Sequence, residues 1–165
     1  MSSLIKRLTM LMALGVALVG FTGCIEVSLQ DKSATVKYRQ LVGSTFALKT
    51  EFKVYGVRRD LRSEVPDYYE MLRVPGPGIG GPEIMDFGRL PAGSRLRLVA
   101  AYEEALGGYS LYEVIVLDPA ERKFEGLRIR INNAGGLEQY HGGTYPGGAP
   151  KLNPEWFTEF TPPAS

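Results

Sequence analysis

Four arginines occur as two pairs, and each pair occupies alternate positions of a β-prone segment. Arg95 and Arg97 belong to one segment, and Arg128 and Arg130 to another. Because alternate residues of a strand point to the same face, each pair projects two guanidinium groups on one side. Guanidinium groups bind carboxylates and phosphates through paired hydrogen bonds. If the two strands are neighbours, the four arginines form one patch for an anionic partner.

The same arginines have a second interpretation, in which they lie on an ordinary solvated face of a sheet. Opposite charges on adjacent strands pair across the sheet. The carboxylates available for such pairing are Glu103, Glu113 and Glu125. Under this interpretation the arginines stabilise the sheet and bind no partner.

A glycine- and tyrosine-rich segment, residues 135–148, contains a second group of candidate contact residues. They are Tyr140, His141 and Tyr145. Tyrosine combines an apolar ring with a hydroxyl group, which suits interfaces and stacking on sugars. As a general base His141 would need a nucleophile, but the chain has no G-x-S-x-G motif. We interpret His141 either as a plain surface-loop residue or as part of a ligand contact made with these tyrosines.

The composition excludes several kinds of chemistry. The 165 residues include 19 Lys and Arg against 18 Asp and Glu, with one His and one Cys. A single Cys forms no intramolecular disulfide, and a single His excludes a histidine-cluster metal site. The near-neutral charge is unlike that of a nucleic-acid-binding domain. We therefore expect no catalytic residue, metal, cofactor or nucleic-acid partner, although several glutamates remain available for a carboxylate-dependent hydrolase.

The N-terminus has the pattern of a bacterial export signal. Lys6 and Arg7 precede residues 8–23, which carry no charge. A helix of that length spans about 24 Å, less than the hydrocarbon core of about 30 Å, so a permanent membrane span is disfavoured. Small residues at the end of the stretch are typical of a cleavage site.

The sequence Phe21-Thr22-Gly23-Cys24 resembles the lipobox of bacterial lipoproteins. The resemblance covers residues 1–24 and implies three events: cleavage before Cys24, attachment of diacylglycerol to its thiol, and acylation of its new amino group. It therefore implies attachment to a membrane through acyl chains. Ile25 rather than Asp after the Cys favours the outer membrane, facing the periplasm, in a cell with two membranes. The alternatives are a cleaved secretory signal with an incidental Cys and an uncleaved anchor helix.

Alternating apolar residues and Gly/Pro turns predict an all-β fold. The strand pattern appears in residues 46–55, 68–74, 84–87, 95–102, 109–117 and 124–131, and the fourth and fifth of these read as a hairpin. The expected architecture is a small antiparallel barrel or sandwich of six or seven strands. Residues 90–99 are loosely similar to a strand of bacterial SH3-like barrels. Trp156, Phe157 and Phe160 are expected to fold back onto the sheet.

These patterns predict an organisation and a function. Residues 1–23 form the signal peptide, residues 24–34 the lipidated Cys24 and a tether, and residues 35–165 one β domain with an irregular Gly/Pro-rich C-terminal region. The predicted function is a lipid-anchored, non-enzymatic binding or assembly module for an envelope protein or anionic envelope polymer. The alternatives are a carboxylate-dependent cell-wall hydrolase and a structural component of a secretion or assembly machine.

The Cys24→Ser substitution tests the predicted anchor. Because serine has no thiol to accept diacylglycerol, we expect the variant to lose both acyl labelling and retention in the membrane fraction. Metabolic labelling with a fatty acid, followed by membrane fractionation, measures both. A variant that remains labelled and membrane-bound would show that Cys24 is not the anchor.

Overall fold

The computed structural model describes residues 28–74, 80–105, 108–117, 119–138 and 143–163. These residues form an all-β fold with one short 3-10 helix, Arg122–Phe124. Among the residues so described, no helix is long and apolar enough to cross a membrane. The signal-peptide helix, Cys24, Tyr140 and His141 lie outside the described residues.

The described residues contain ten strands, more than the six or seven predicted. They are β1 (Leu29–Asp31), β2 (Thr45–Ala47), β3 (Phe52–Val57), β4 (Tyr68–Arg73), β5 (Ile84–Leu90), β6 (Arg95–Glu104), β7 (Ser110–Leu117), β8 (Arg128–Ile131), β9 (Leu137–Glu138) and β10 (Lys151–Leu152).

Strand β6 shows why these segments are extended. Leu96 and Leu98 are buried while Arg95 and Arg97 are exposed, so one face of the strand is apolar and the other polar. The turn before β6 places Gly93 at a φ of 88°, a conformation that L side chains rarely adopt. The strand then pairs with β7 as an antiparallel hairpin, and this pairing confirms the predicted one.

Eight strands form one sheet in the order β1-β6-β7-β8-β4-β3-β5, with β2 also paired to β6, and β9 and β10 form a separate pair. The all-β prediction is confirmed, but two finer expectations were wrong. Strand β4 pairs with β8 in parallel, so the sheet is mixed rather than antiparallel. The sheet also runs from β1 to β5 without closing into a barrel.

The core lies on one face of this sheet and is completed by the C-terminal segment. Phe157 is 1% exposed, and its ring centroid lies 5.1 Å from that of Phe52 and 5.6 Å from that of Phe46. Trp156 and Phe160 are partly buried against the same core. The prediction that these aromatic residues fold back onto the sheet is therefore confirmed.

Part of the segment predicted as a tether, residues 24–34, belongs to the folded domain. Leu29–Asp31 forms β1 and pairs with residues 102–104 of β6. The amide of Ala105 donates a hydrogen bond of 3.0 Å to the carbonyl of Ser28. The folded domain therefore begins at or before Ser28, earlier than the predicted boundary at residue 35.

Candidate functional site

The two predicted arginine pairs lie on one face of the sheet but not on neighbouring strands. Arg95 and Arg97 are on β6 and Arg128 and Arg130 on β8, with β7 between these strands. All four side chains are on the face opposite the core, because the residues that alternate with them are buried. The condition for one continuous patch of four guanidinium groups is therefore not met.

Glu113 of β7 lies beside Arg128 and Arg130. In the register, Ile115 rather than Glu113 lies between Arg97 and Arg128. Glu113 is only 8% exposed, and its Oε2 lies 3.0 Å from Nη1 of Arg128. Its Oε1 lies 3.7 Å from Nε of Arg130, and the hydroxyl of Tyr102 lies 3.4 Å from Oε2. Hydrogen bonding to this carboxylate raises the pKa of Arg128. The second interpretation, pairing of the arginines with a glutamate across strands, is the one found for Arg128 and Arg130.

Arg130 faces a second carboxylate on its other side. The strand registers place Glu113, Arg130 and Glu70 in one row across β7, β8 and β4. The guanidinium carbon of Arg130 lies 4.3 Å from the ring centroid of Tyr68, which is a cation–π distance. Arg130 Nε is buried and has no hydrogen-bond partner among the described residues. Where β8 meets β4, Arg130 thus lies near the Glu113 carboxylate and against the Tyr68 ring, and Glu70 is its register neighbour on β4.

Burial raises the pKa of Glu70, and the opposing effects of Arg130 and Asn132 do not cancel that rise. Burial likewise raises the pKa values of Tyr68 and Tyr109. A carboxylate that is costly to ionise and two neutral phenols therefore surround the guanidinium group. Glu70 and Tyr109 both hydrogen-bond to the side chain of Asn132, and a carboxyl or phenol group can make more than one hydrogen bond.

These side chains border a cavity of about 500 Å³ on the outer side of the sheet. The lining residues come from β1, the β3–β4 loop, β4, β6, β7, β8 and the turn before β7. They are Leu29, Arg59, Tyr68, Glu70, Glu104, Tyr109, Leu111 and Arg130. We call this cavity the outer pocket. It combines two tyrosines, two arginines and two carboxylates, and its volume suits a small ligand or one segment of a polymer.

The sequence identified one lining residue of the outer pocket, Arg130, among its candidate contact residues. Glu70, Tyr109 and Arg59 were not among them, because the β4–β8 pairing that brings them together joins segments about 60 residues apart. No local pattern reports a pairing between segments that are so distant. Isolated tyrosines and glutamates on strands gave no signal of their own.

Tyr145, the remaining described candidate, lies elsewhere. It lines a cavity of about 650 Å³ beneath the C-terminal segment, which shares no lining residue with the outer pocket. The ring centroid of Tyr145 lies 5.0 Å from that of Phe160 and 5.8 Å from Nζ of Lys151. The structure therefore does not bring Tyr145 together with the arginines.

The outer pocket contains two carboxylates, which come from strands that are not neighbours. Glu70 is on β4 and Glu104 on β6, with β7 and β8 between these strands. Three strand spacings of about 4.8 Å separate their backbones by about 14 Å along the sheet. A glycosidase pair needs carboxyl groups about 5 to 9.5 Å apart. The backbones of Glu70 and Glu104 are thus farther apart than the two carboxyl groups of such a pair.

Two glutamates with opposite pKa shifts give a testable pH dependence. Burial alone would raise the pKa of Glu103, but the ammonium group of Lys37 and the hydroxyl of Tyr38 outweigh it and lower that pKa. Glu103 thus stabilises the fold above its unfolded-state pKa, and this stabilisation is lost as the pH falls through the folded-state value. Glu70 has a raised pKa in the folded protein, so its ionisation costs more there than in the unfolded chain. The fold therefore loses stability as the pH rises through that pKa.

We therefore expect Glu70→Gln to gain stability relative to the unsubstituted protein between about pH 4 and pH 7. Glu103→Gln, the matched control, is expected to lose relative stability as the pH rises from the lowered folded-state pKa of Glu103 to its unfolded-state value, which is a lower pH window than that of Glu70. Urea unfolding followed by the fluorescence of Trp156, the one tryptophan, measures both. A loss of stability in Glu70→Gln as the pH rises would contradict the assignment.

The outer pocket, together with the row of Glu113, Arg130 and Glu70, is the candidate functional site of this chain. Comparison with protein-family models, with curated proteins and with solved structures found no match. The observations that indicate a function are therefore the set of polar and aromatic residues in the outer pocket and the N-terminal pattern that ends at Cys24.

Proposed function

We propose that this chain is a lipid-anchored cell-envelope protein whose β domain binds an envelope protein or polymer without catalysing a reaction. The anchor is supported by the export pattern of residues 1–23 and by the position of Cys24. Two or three acyl chains hold a protein on a membrane far more firmly than one chain does. In a cell with two membranes, Ile25 supports the outer membrane, facing the periplasm.

The observation that carries the binding function is the set of groups in the outer pocket. The rings of Tyr68 and Tyr109 offer flat apolar surface, and Arg59 and Arg130 offer donors to carboxylates. Glu70 and Glu104 offer acceptors to hydroxyl or amide groups. This combination suits a peptide or glycan segment that carries carboxylates beside hydrogen-bond donors.

The position of the outer pocket relative to the anchor supports the same function. Leu29, five residues after Cys24, lines the pocket itself. A partner in the pocket would therefore lie close to the membrane surface. Because the anchor confines the domain to that surface, its effective concentration there is high and modest affinity is sufficient.

The assembly-machine alternative would be supported by an apolar edge strand that is available for pairing. In the described part of the chain the sheet ends at β1, whose Gln30 and Asp31 are exposed, and, beyond β3, at β5. The register of β5 shifts opposite Val54 and Tyr55, as a β-bulge does, and Asp86 and Arg89 on it are exposed. Bulges and charges are devices that prevent edge-to-edge pairing. The two edges therefore give this alternative no support.

Crosslinking in intact cells tests whether the partner binds in the outer pocket or on the arginine face, the exposed surface around Arg95 and Arg97. We expect Arg59→Ala and Tyr109→Ala each to reduce the crosslinked partner by about tenfold, since each substitution removes a contact worth about 1.4 kcal/mol. Arg97→Ala is the matched control, because Arg97 is exposed on the outer face but does not line the pocket.

The yield of each crosslinked species is quantified against the amount of mature protein in the membrane fraction. A loss with Arg97→Ala and none with the pocket variants would place the contact on the arginine face. Equal yields from all three variants would show that neither surface binds the partner.

A further inference from the structure

The loop between β3 and β4, residues 58–67, exposes apolar side chains that the domain itself does not cover. The large hydrophobic residues exposed in the described part of the chain are Val36, Leu61 and Val65, and two of them are in this loop. Leu61 is 53% exposed and Val65 is 69% exposed. Two large apolar side chains of this loop are thus exposed four residues apart.

Hydrogen bonds hold the backbone of this loop in place. The guanidinium group of Arg58 donates to the carbonyls of Ser63 and Pro82 at 2.8 and 2.6 Å. The amide of Arg59 donates to Oδ2 of Asp67 at 2.6 Å. At the tip, the amide of Val65 donates to Oγ of Ser63 at 3.1 Å. These bonds fix the backbone around two side chains that remain in solvent.

The chain reaches the domain beside this loop. Leu29 of β1 and Arg59 of the loop line the same outer pocket. Ser28 is four residues after Cys24, and four extended residues span at most about 14 Å. Leu61 follows Arg59 by two residues, so the loop tip is near the point where the anchored chain enters the domain.

We infer that the loop of residues 58–67 is a second membrane contact, in which Leu61 and Val65 enter the lipid interface. The inference rests on the proposed anchor at Cys24. The loop carries three arginines and three acidic residues, so apolar insertion rather than attraction to anionic lipid provides the contact. Two such side chains bind a bilayer weakly on their own, but the acyl anchor keeps them at its surface.

The contact orients the domain. With the β3–β4 loop against the lipid, the entrance of β1 also faces the membrane, while the turn of residues 91–94 lies at the opposite ends of β5 and β6. The outer pocket then opens near the bilayer surface, where a membrane-proximal partner can reach it.

Fluorescent labels at single cysteines test the inference in the full lipidated chain. Because Cys24 is consumed by the lipid, Leu61→Cys, Val65→Cys and Ala92→Cys each supply one free thiol for an environment-sensitive dye. Ala92 is the matched control, since it is exposed in the turn between β5 and β6. The labelled proteins are reconstituted into neutral phosphatidylcholine vesicles with and without brominated acyl chains.

We expect the dyes at positions 61 and 65 to be quenched by brominated lipid at least about threefold more than the dye at position 92. Equal quenching at the three positions, with all proteins co-floating with the vesicles, would overturn this inference alone. Failure to co-float would overturn the anchor and the inference together. A concentration-dependent blue shift at position 61 without lipid quenching would identify a second copy as the occupant and also overturn it.

Discussion

The parallel pairing of β4 with β8 is the junction that joins strands β1, β6, β7 and β8 to strands β4, β3 and β5. This junction depends on the guanidinium group of Arg130. Strands β4 and β8 are joined in parallel over only two residue pairs, and Arg130 stands in one of them opposite Glu70. On the other side it faces Glu113, whose side chain is 11% exposed. Without this cation, half-buried Glu70 would lose a favourable charge interaction, and Glu113 would keep its contact with Arg128 but lose that with Arg130. Removing one partner of such a set is costly, because the remaining charges stay buried.

This junction also produces the outer pocket. The stacking of Arg130 on Tyr68 and its position beside Glu70 fix three of the lining residues. The turn before β7 and the start of β1 complete the cavity from the other side. Leu29 of β1 and Arg59 of the loop of residues 58–67 both line the outer pocket, so the pocket, that loop and the first described strand lie on one side of the molecule.

The sequence predicted the features that depend on local alternation. Arg95 and Arg97 flank a buried Leu96, so the extended conformation and outward face of β6 follow from the period of two. The same reasoning placed Arg128 and Arg130 on the outward face of β8. Phe157 was predicted to cover the sheet because a large aromatic residue at the end of an irregular segment is costly to expose.

The features that the sequence did not predict depend on long-range pairing. The insertion of β7 between the arginine pairs and the parallel approach of β4 to β8 are set by how the whole core packs. The packing around Glu70 makes its ionisation costly, and that packing includes the distant segment of β8. For the same reason, a segment interpreted as a tether contributes β1, since its partner β6 is more than 70 residues away.

A double-mutant cycle on Arg130 and Glu70 tests the central claim most directly. The free energy of unfolding in urea at about pH 7 is measured for Arg130→Met, Glu70→Gln and the double variant. If Arg130 holds the junction by offsetting the Glu70 carboxylate, removing that carboxylate recovers part of the loss, and the coupling is about 1 kcal/mol or more. Additive effects, with a coupling below about 0.3 kcal/mol, would contradict the account.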